Sequence, residues 1–148
     1  MFRHFKQGAK AAPRLLEIGK AEVVADGTDV ALIGLGTLFE MAEQTKALLE
    51  AKGLSVALIN PRFIKPLDTA VLETYAAKCK VLCTFEDHVL TNGFGAAVIE
   101  HLHTAGLHTP VERIGWPDAF IQHGTPEILR ALHGLTAENA AARVLAHF

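Results

Sequence analysis

The chain has 148 residues, half of them hydrophobic and a fifth charged, with a formal net charge of −2. That length and mixture describe one globular domain that can bury a core without metal or disulfide staples, and they exclude a disordered chain. The near-neutral charge offers no basic stripe for nucleic acid, and no apolar run is long enough to span a membrane.

The first residues carry Arg3, Lys6, Lys10 and Arg14 without an acid, and include Gly8 and Pro13. Residues 1–16 therefore read as a basic linker or arm, and residues 17–148 as the domain. A basic targeting segment is the competing reading, and the lack of serine counts against it. Cys79 and Cys83 lie in apolar surroundings, which favours two buried thiols in a reducing compartment over a disulfide. A cytoplasmic protein is the expectation.

Ala21-Glu22-Val23-Val24 reads as a short strand, and Asp26-Gly27 as a hairpin turn into the apolar run 29–35. Apolar residues then recur at helical spacing from Leu38 to Lys52, with Glu40, Glu43, Lys46 and Glu50 facing away and Gly53 as the stop. The cycle repeats. Residues 55–59 form a strand ended by Asn60-Pro61, and Asp68 caps a helix through Lys78. Residues 80–85 form the next strand, and residues 95–104 the next helix, ended by Gly106. Residues 111–114 are a last short strand. Thr125, Pro126 and Glu127 together open a helix, and Thr136 opens another. Asn139 stands where the Glu or Gln of a capping box would be, so that box is incomplete.

Strands alternating with helices predict a three-layer α/β fold around a mostly parallel sheet. Ligands of such sheets sit beyond the carboxyl ends of the strands. Those ends collect Gly36-Thr37, then Asn60, Arg62 and Lys65, then Glu86-Asp87-His88, then Trp116 and Asp118 with His123 further on. Three chemistries are open there. His88 with Glu86 or Asp87, and Arg62 opposite, could do acid/base work, since a carboxylate can orient an imidazole. The turn Asn92-Gly93-Phe94-Gly95 could turn backbone N–H groups toward an anion at a helix start. Metal binding by His101, His103 and His108 is disfavoured by their spacing on a helix and by the want of further ligands. The plain alternative for each is a polar edge whose side chains cap loops and meet a neighbour. Gly34-Leu35-Gly36 is a poor dinucleotide fingerprint, because Phe39 replaces the third glycine.

Three separated motifs carry a family resemblance: Arg62-Phe63-Ile64-Lys65-Pro66-Leu67-Asp68, Phe85-Glu86-Asp87-His88-Val89-Leu90 with Gly93-Phe94-Gly95, and Gly115-Trp116-Pro117-Asp118-Ala119-Phe120-Ile121 with His123-Gly124. In this order they resemble the carboxy-terminal domain of the transketolase superfamily, in the branch of the 1-deoxy-D-xylulose-5-phosphate synthases. The resemblance implies a five-stranded mixed sheet whose first strand is antiparallel and need not lie beside the second. It also implies a parent enzyme that uses thiamine diphosphate and magnesium to condense pyruvate with glyceraldehyde 3-phosphate for isoprenoid precursor synthesis. The cofactor and substrate residues of that enzyme belong to its amino-terminal and middle domains, and no Gly-Asp-Gly metal motif occurs here. The expectation is a domain without catalytic or cofactor residues of its own, pairing with those domains or with a chain that carries them, within a homodimer. Its candidate interface or anion-binding residues are Arg62, Lys65, Glu86, Asp87, His88, Asn92, Gly93, Gly95, Asp118 and His123. A free-standing small-anion or partner-binding module is the alternative.

Overall fold

The computed structural model describes residues 15–148. The basic arm expected at 1–16 lies, but for its last two residues, outside them. The strands are β1 (Glu22–Ala25), β2 (Val30–Gly34), β3 (Val56–Asn60), β4 (Val81–Val89) and β5 (Val111–Trp116). The helices are α1 (Phe39–Glu50), α2 (Thr69–Lys78), α3 (Phe94–Thr104), α4 (Pro126–Leu132) and α5 (Ala137–Leu145), and a 3-10 turn at Gly36–Leu38 leads into α1.

The sheet has the order β1-β3-β2-β4-β5. β3, β2, β4 and β5 run parallel, and β1 is antiparallel to β3, with Glu22 opposite Asn60. The hairpin read into Asp26-Gly27 is therefore corrected. The chain bends at Thr28-Asp29, and β1 crosses to the far side of β3, whose free edge it covers. Gly27 is needed where the chain passes: a Cβ there would overlap the backbone of Val56 and Ala57.

β2 is buried along its whole length, as its unbroken apolar run requires for a strand covered on both faces. Alternate residues divide between two layers. Val30, Leu32, Cys83, Phe85 and Ile114 pack with Leu38, Ala42 and Val144 beneath α1 and α5. Ala31, Ile33 and Leu82 pack with Leu72, Phe94, Val98 and Leu102 beneath α2 and α3. Right-handed crossovers on either side of β2 place α1 and α2 on opposite faces. Both cysteines are free and buried.

The expected caps are in place. Asp68 accepts from the Val71 N–H, and Thr125 from the Ile128 N–H. Thr136 accepts from the Asn139 N–H at 3.2 Å, while the Asn139 side chain donates to the Gly134 carbonyl at 2.7 Å. Asparagine thus ties α5 to the preceding turn where Glu would have closed a box.

Two strands run further than their apolar runs suggest. β4 continues past Phe85 to Val89, and β5 past Ile114 to Trp116. A register shift between Phe85 and Val89 accommodates the extension, and the Leu90 N–H donates to the Trp116 carbonyl beyond it. Glu86, Asp87 and His88 are consequently strand residues.

Candidate functional site

The order of the strands makes β2 the point at which connections turn from one side of the sheet to the other. In open α/β sheets that point leaves a crevice between two strand ends, here those of β2 and β4. The crevice is filled by the chain itself. Thr37, in the turn after β2, donates its hydroxyl to Asp87 Oδ2 at 2.6 Å. Trp116 Nε1 donates to Asp87 Oδ1 at 2.8 Å, and Arg130 Nη2 to Oδ2 at 2.5 Å. Burial pushes the Asp87 carboxyl up, but the hydroxyl, the indole and the guanidinium together outweigh it and hold the group below its ordinary value.

Strand alternation sends the neighbouring carboxylate the other way. Glu86 lies on the α3 face, fully buried, and its Oε1 accepts the Gly95 N–H at 3.0 Å. A carboxylate is thereby seated at the positive end of α3. His88 Nε2 stands 3.2 Å from Glu86 Oε2, yet that oxygen has no aligned hydrogen bond. The other ring nitrogen, Nδ1, lies 3.0 Å from the Val89 carbonyl, which can only accept. Nδ1 therefore carries a hydrogen toward that carbonyl. Three glycines let this arrangement close. A Cβ on Gly93 would overlap Glu86 Oε2, one on Gly95 would come within 2.5 Å of Thr84 Oγ1, and one on Gly115 within 3.0 Å of Glu86 Cγ.

The residues read as one edge do not all stay together. Glu86, His88, Asn92, Gly93 and Gly95 stay together around the start of α3, with Asn92 in the left-handed region at φ 56. Asp87 belongs to the opposite face. Arg62 is remote from both: its guanidinium pairs with Glu22 of β1 at 2.8 Å, and its N–H donates to Asn60 Oδ1. The pairing of His88 with Asp87 or Arg62 is therefore not formed. Lys65 borders a groove of about 440 Å³ that also takes in Ala97, Glu100, His101 and Thr104 of α3. Asp118 and His123 are exposed, and neither side chain meets a polar partner among the described residues. His101 pairs with Glu73 at 2.9 Å, and no group of three potential metal ligands occurs among the described residues.

Sequence reasoning missed Arg130 and Arg113. Arg130 is the one cation in α4 (Pro126–Leu132), and that isolation was its only signal. Arg113 interrupts the alternation of β5 on the α3 face, where its Nη1 donates to the Leu90 carbonyl at 3.0 Å. Trp116, expected at the carboxyl end of a strand, is half-buried as the last residue of β5. There it lies edge-on to His133 at 5.6 Å.

A parallel sheet of this order, capped by an antiparallel edge strand, defines a domain class. The chain belongs to that class, the transketolase carboxy-terminal domain family: the family model described as "Transketolase, C-terminal domain" matches residues 19–140. Within the family its sequence stands with the 1-deoxy-D-xylulose-5-phosphate synthases. It is 50% identical over 135 residues to that enzyme of Acidobacterium capsulatum, a match covering 91% of this chain and 22% of the relative. It is 48% identical to that of Methylacidiphilum infernorum, covering 92% and 22%. The chain thus spans about a fifth of the length of these curated relatives. Among solved structures, one described as "Split gene transketolase, inactive beta4 tetramer" superposes with a TM-score of 0.82 at 31% identity, covering 89% of this chain and 43% of that one. A transketolase of Pichia stipitis shares the fold, with a TM-score of 0.59 at 15% identity.

Thiamine diphosphate and magnesium, which such relatives imply for a whole enzyme, do not fit the described residues. No set of three metal ligands gathers, the switch-point crevice is filled by Thr37, Asp87 and Arg130, and Glu86 already takes the Gly95 N–H.

Proposed function

We propose that the chain is the carboxy-terminal domain of a thiamine-diphosphate enzyme of the 1-deoxy-D-xylulose-5-phosphate synthase type. The whole enzyme would join pyruvate to glyceraldehyde 3-phosphate with loss of carbon dioxide, on domains outside the segment matched here. The domain's own part would be packing, dimerisation and closure of the active site from outside, with no turnover alone. The observation that carries this reading is the 50% identity spread over 91% of the chain but only 22% of the relative. The split-gene transketolase supports it as well, because its description reports an inactive assembly of one kind of chain.

The polar edge supports a docking role. Glu86, Asp87, His88, Asn92, Gly93 and Gly95 would order the surface turns that a partner domain meets, and Arg62, Lys65, Asp118 and His123 would border them. The reading as a free anion-binding module has less support, since a built-in carboxylate already occupies the start of α3. Calorimetric titration with thiamine diphosphate and magnesium, beside a synthase assay, tests the proposal. The expected result is neither binding nor turnover by this chain alone. Appreciable cofactor binding or turnover by this chain alone would overturn it.

A further inference from the structure

α4 is seven residues long and none of them is buried. A helix that short is not stable in water on its own, and in folded proteins the burial of one apolar face makes up the deficit. Here Leu129 and Arg130 are only half-buried, and a second, apolar face is bare. Ile128 and Leu132 are four residues apart, hence on one side of the helix, and are 58% and 63% exposed. Phe120, in the loop that leads into α4, is exposed completely. On the described domain, the helix is held by its Thr125 cap and by the bond from Arg130 to Asp87. Those are tethers that fix its position, and neither removes apolar surface from water. Such a surface marks an interaction site.

We propose that Phe120, Ile128 and Leu132 form the face on which the remainder of the synthase docks, in an apolar socket with a basic rim. The inference rests on the reading of the chain as a synthase domain, and it names the surface used. The remainder is the favoured occupant because the relatives continue for most of their length outside the matched segment. The basic rim follows from Asp118 and Glu127, which flank the apolar residues, are exposed and have no polar side-chain partner among the described residues. Arg130 is already engaged by Asp87, so the face presents net negative charge to its neighbour. Asp87 then has a purpose beyond closing the crevice: it holds α4 at one angle to the sheet, so the helix meets its socket preformed.

The test replaces the matched segment of the full-length Acidobacterium capsulatum synthase by this chain and compares hydrogen exchange in the chimaera and in the free chain. Exchange over residues 117–132 should slow by at least about tenfold in the chimaera. Ile128→Ser with Leu132→Ser should restore fast exchange there while β4 and α5 stay protected, which shows that the variant is folded. An inactive chimaera overturns the synthase reading and the docking face with it. An active chimaera in which residues 117–132 exchange as freely as in the free chain overturns the docking face alone. Self-association of the free chain that protects the same residues, and that the double variant abolishes, would assign the face to a second copy and overturn the proposal.

Discussion

The hydroxyl of Thr37 donates to Asp87 Oδ2 at 2.6 Å across the gap between β2 and β4, so the place where such sheets receive ligands is closed from within. Asp87 accepts from β5 and α4 as well, and one partly exposed carboxylate joins four segments of the chain.

Asp87→Asn should remove an acid-sensitive part of the stability. The Asp87 carboxyl is held below its ordinary value of 3.8, so its contribution is present above that pH and is lost as pH falls through the lower, folded-state value. Thermal melts at stepped pH should show the wild type losing more stability than the variant below about pH 4. Parallel acid curves for the two would refute the assignment.

Glu86 should tolerate amidation better than truncation. Glu86→Ala leaves the Gly95 N–H without its partner and opens a cavity in a fully buried site, for a loss of about 2–4 kcal/mol. Glu86→Gln keeps the side-chain volume and the acceptor for the Gly95 N–H, and should stay within about 1 kcal/mol of wild type. Urea unfolding of both variants checks the order, and a glutamine variant as weak as the alanine would contradict this geometry.

Gly93→Ala should cost about 1–3 kcal/mol through crowding. Its φ of −83 suits any residue, so the penalty is steric: the new Cβ would meet Glu86 Oε2 and lie 2.7 Å from the Val89 carbonyl oxygen. Gly53 offers the converse case, with open space but a φ of 88. Gly53→Ala should therefore lose about 1 kcal/mol through backbone conformation alone. Chemical denaturation of the pair separates the two causes, because only Gly93→Ala should also disturb the His88 ring resonances.

Tyr75 is the only tyrosine, which makes its ionisation directly visible in the near ultraviolet. Burial first, and then its 2.8 Å bond to Asp26, push the phenol up from 10.0 to about 12. Its contribution to stability is present below pH 10.0 and is lost as pH rises toward about 12. Asp26 behaves in the opposite sense. Lys78 first, then the Tyr75 hydroxyl and the Gly27 N–H, hold it down to about 2, so its contribution is lost as pH falls from 3.8 toward that value. In Asp26→Asn the phenolate should appear at lower pH than in wild type, yet still above 10.0, because burial remains. An unchanged titration would show that the Asp26 bond has no effect.

Much of the fold could be read before any coordinates. The apolar runs of β2 and β3, the helical spacing of α1, and the caps at Asp68, Thr125 and Thr136 are local signals, and each element formed where its own residues asked for it. The strand ends were less legible. β4 and β5 run on through Glu86-Asp87-His88 and Gly115-Trp116 because each has the other to pair with, and a partner strand leaves no mark in hydropathy. Arg130 escaped notice for a similar reason: a lone cation on a short helix reads as surface until Asp87 is seen beneath it.

By itself, then, the sequence determined the alternation of strands and helices, the two-sided burial of the sheet, and three motifs sufficient to place the chain in its family. Each of these depends on residues close together in the chain, whose periodicity and capping chemistry act over a few positions. Only the tertiary structure decided that β1 pairs with β3, that the adjacent acids Glu86 and Asp87 serve opposite faces, and that Thr37 and Arg130 close over the crevice. Those outcomes join residues up to 50 positions apart. Lateral strand order and the handedness of the crossovers set them, and neither is written in any local stretch.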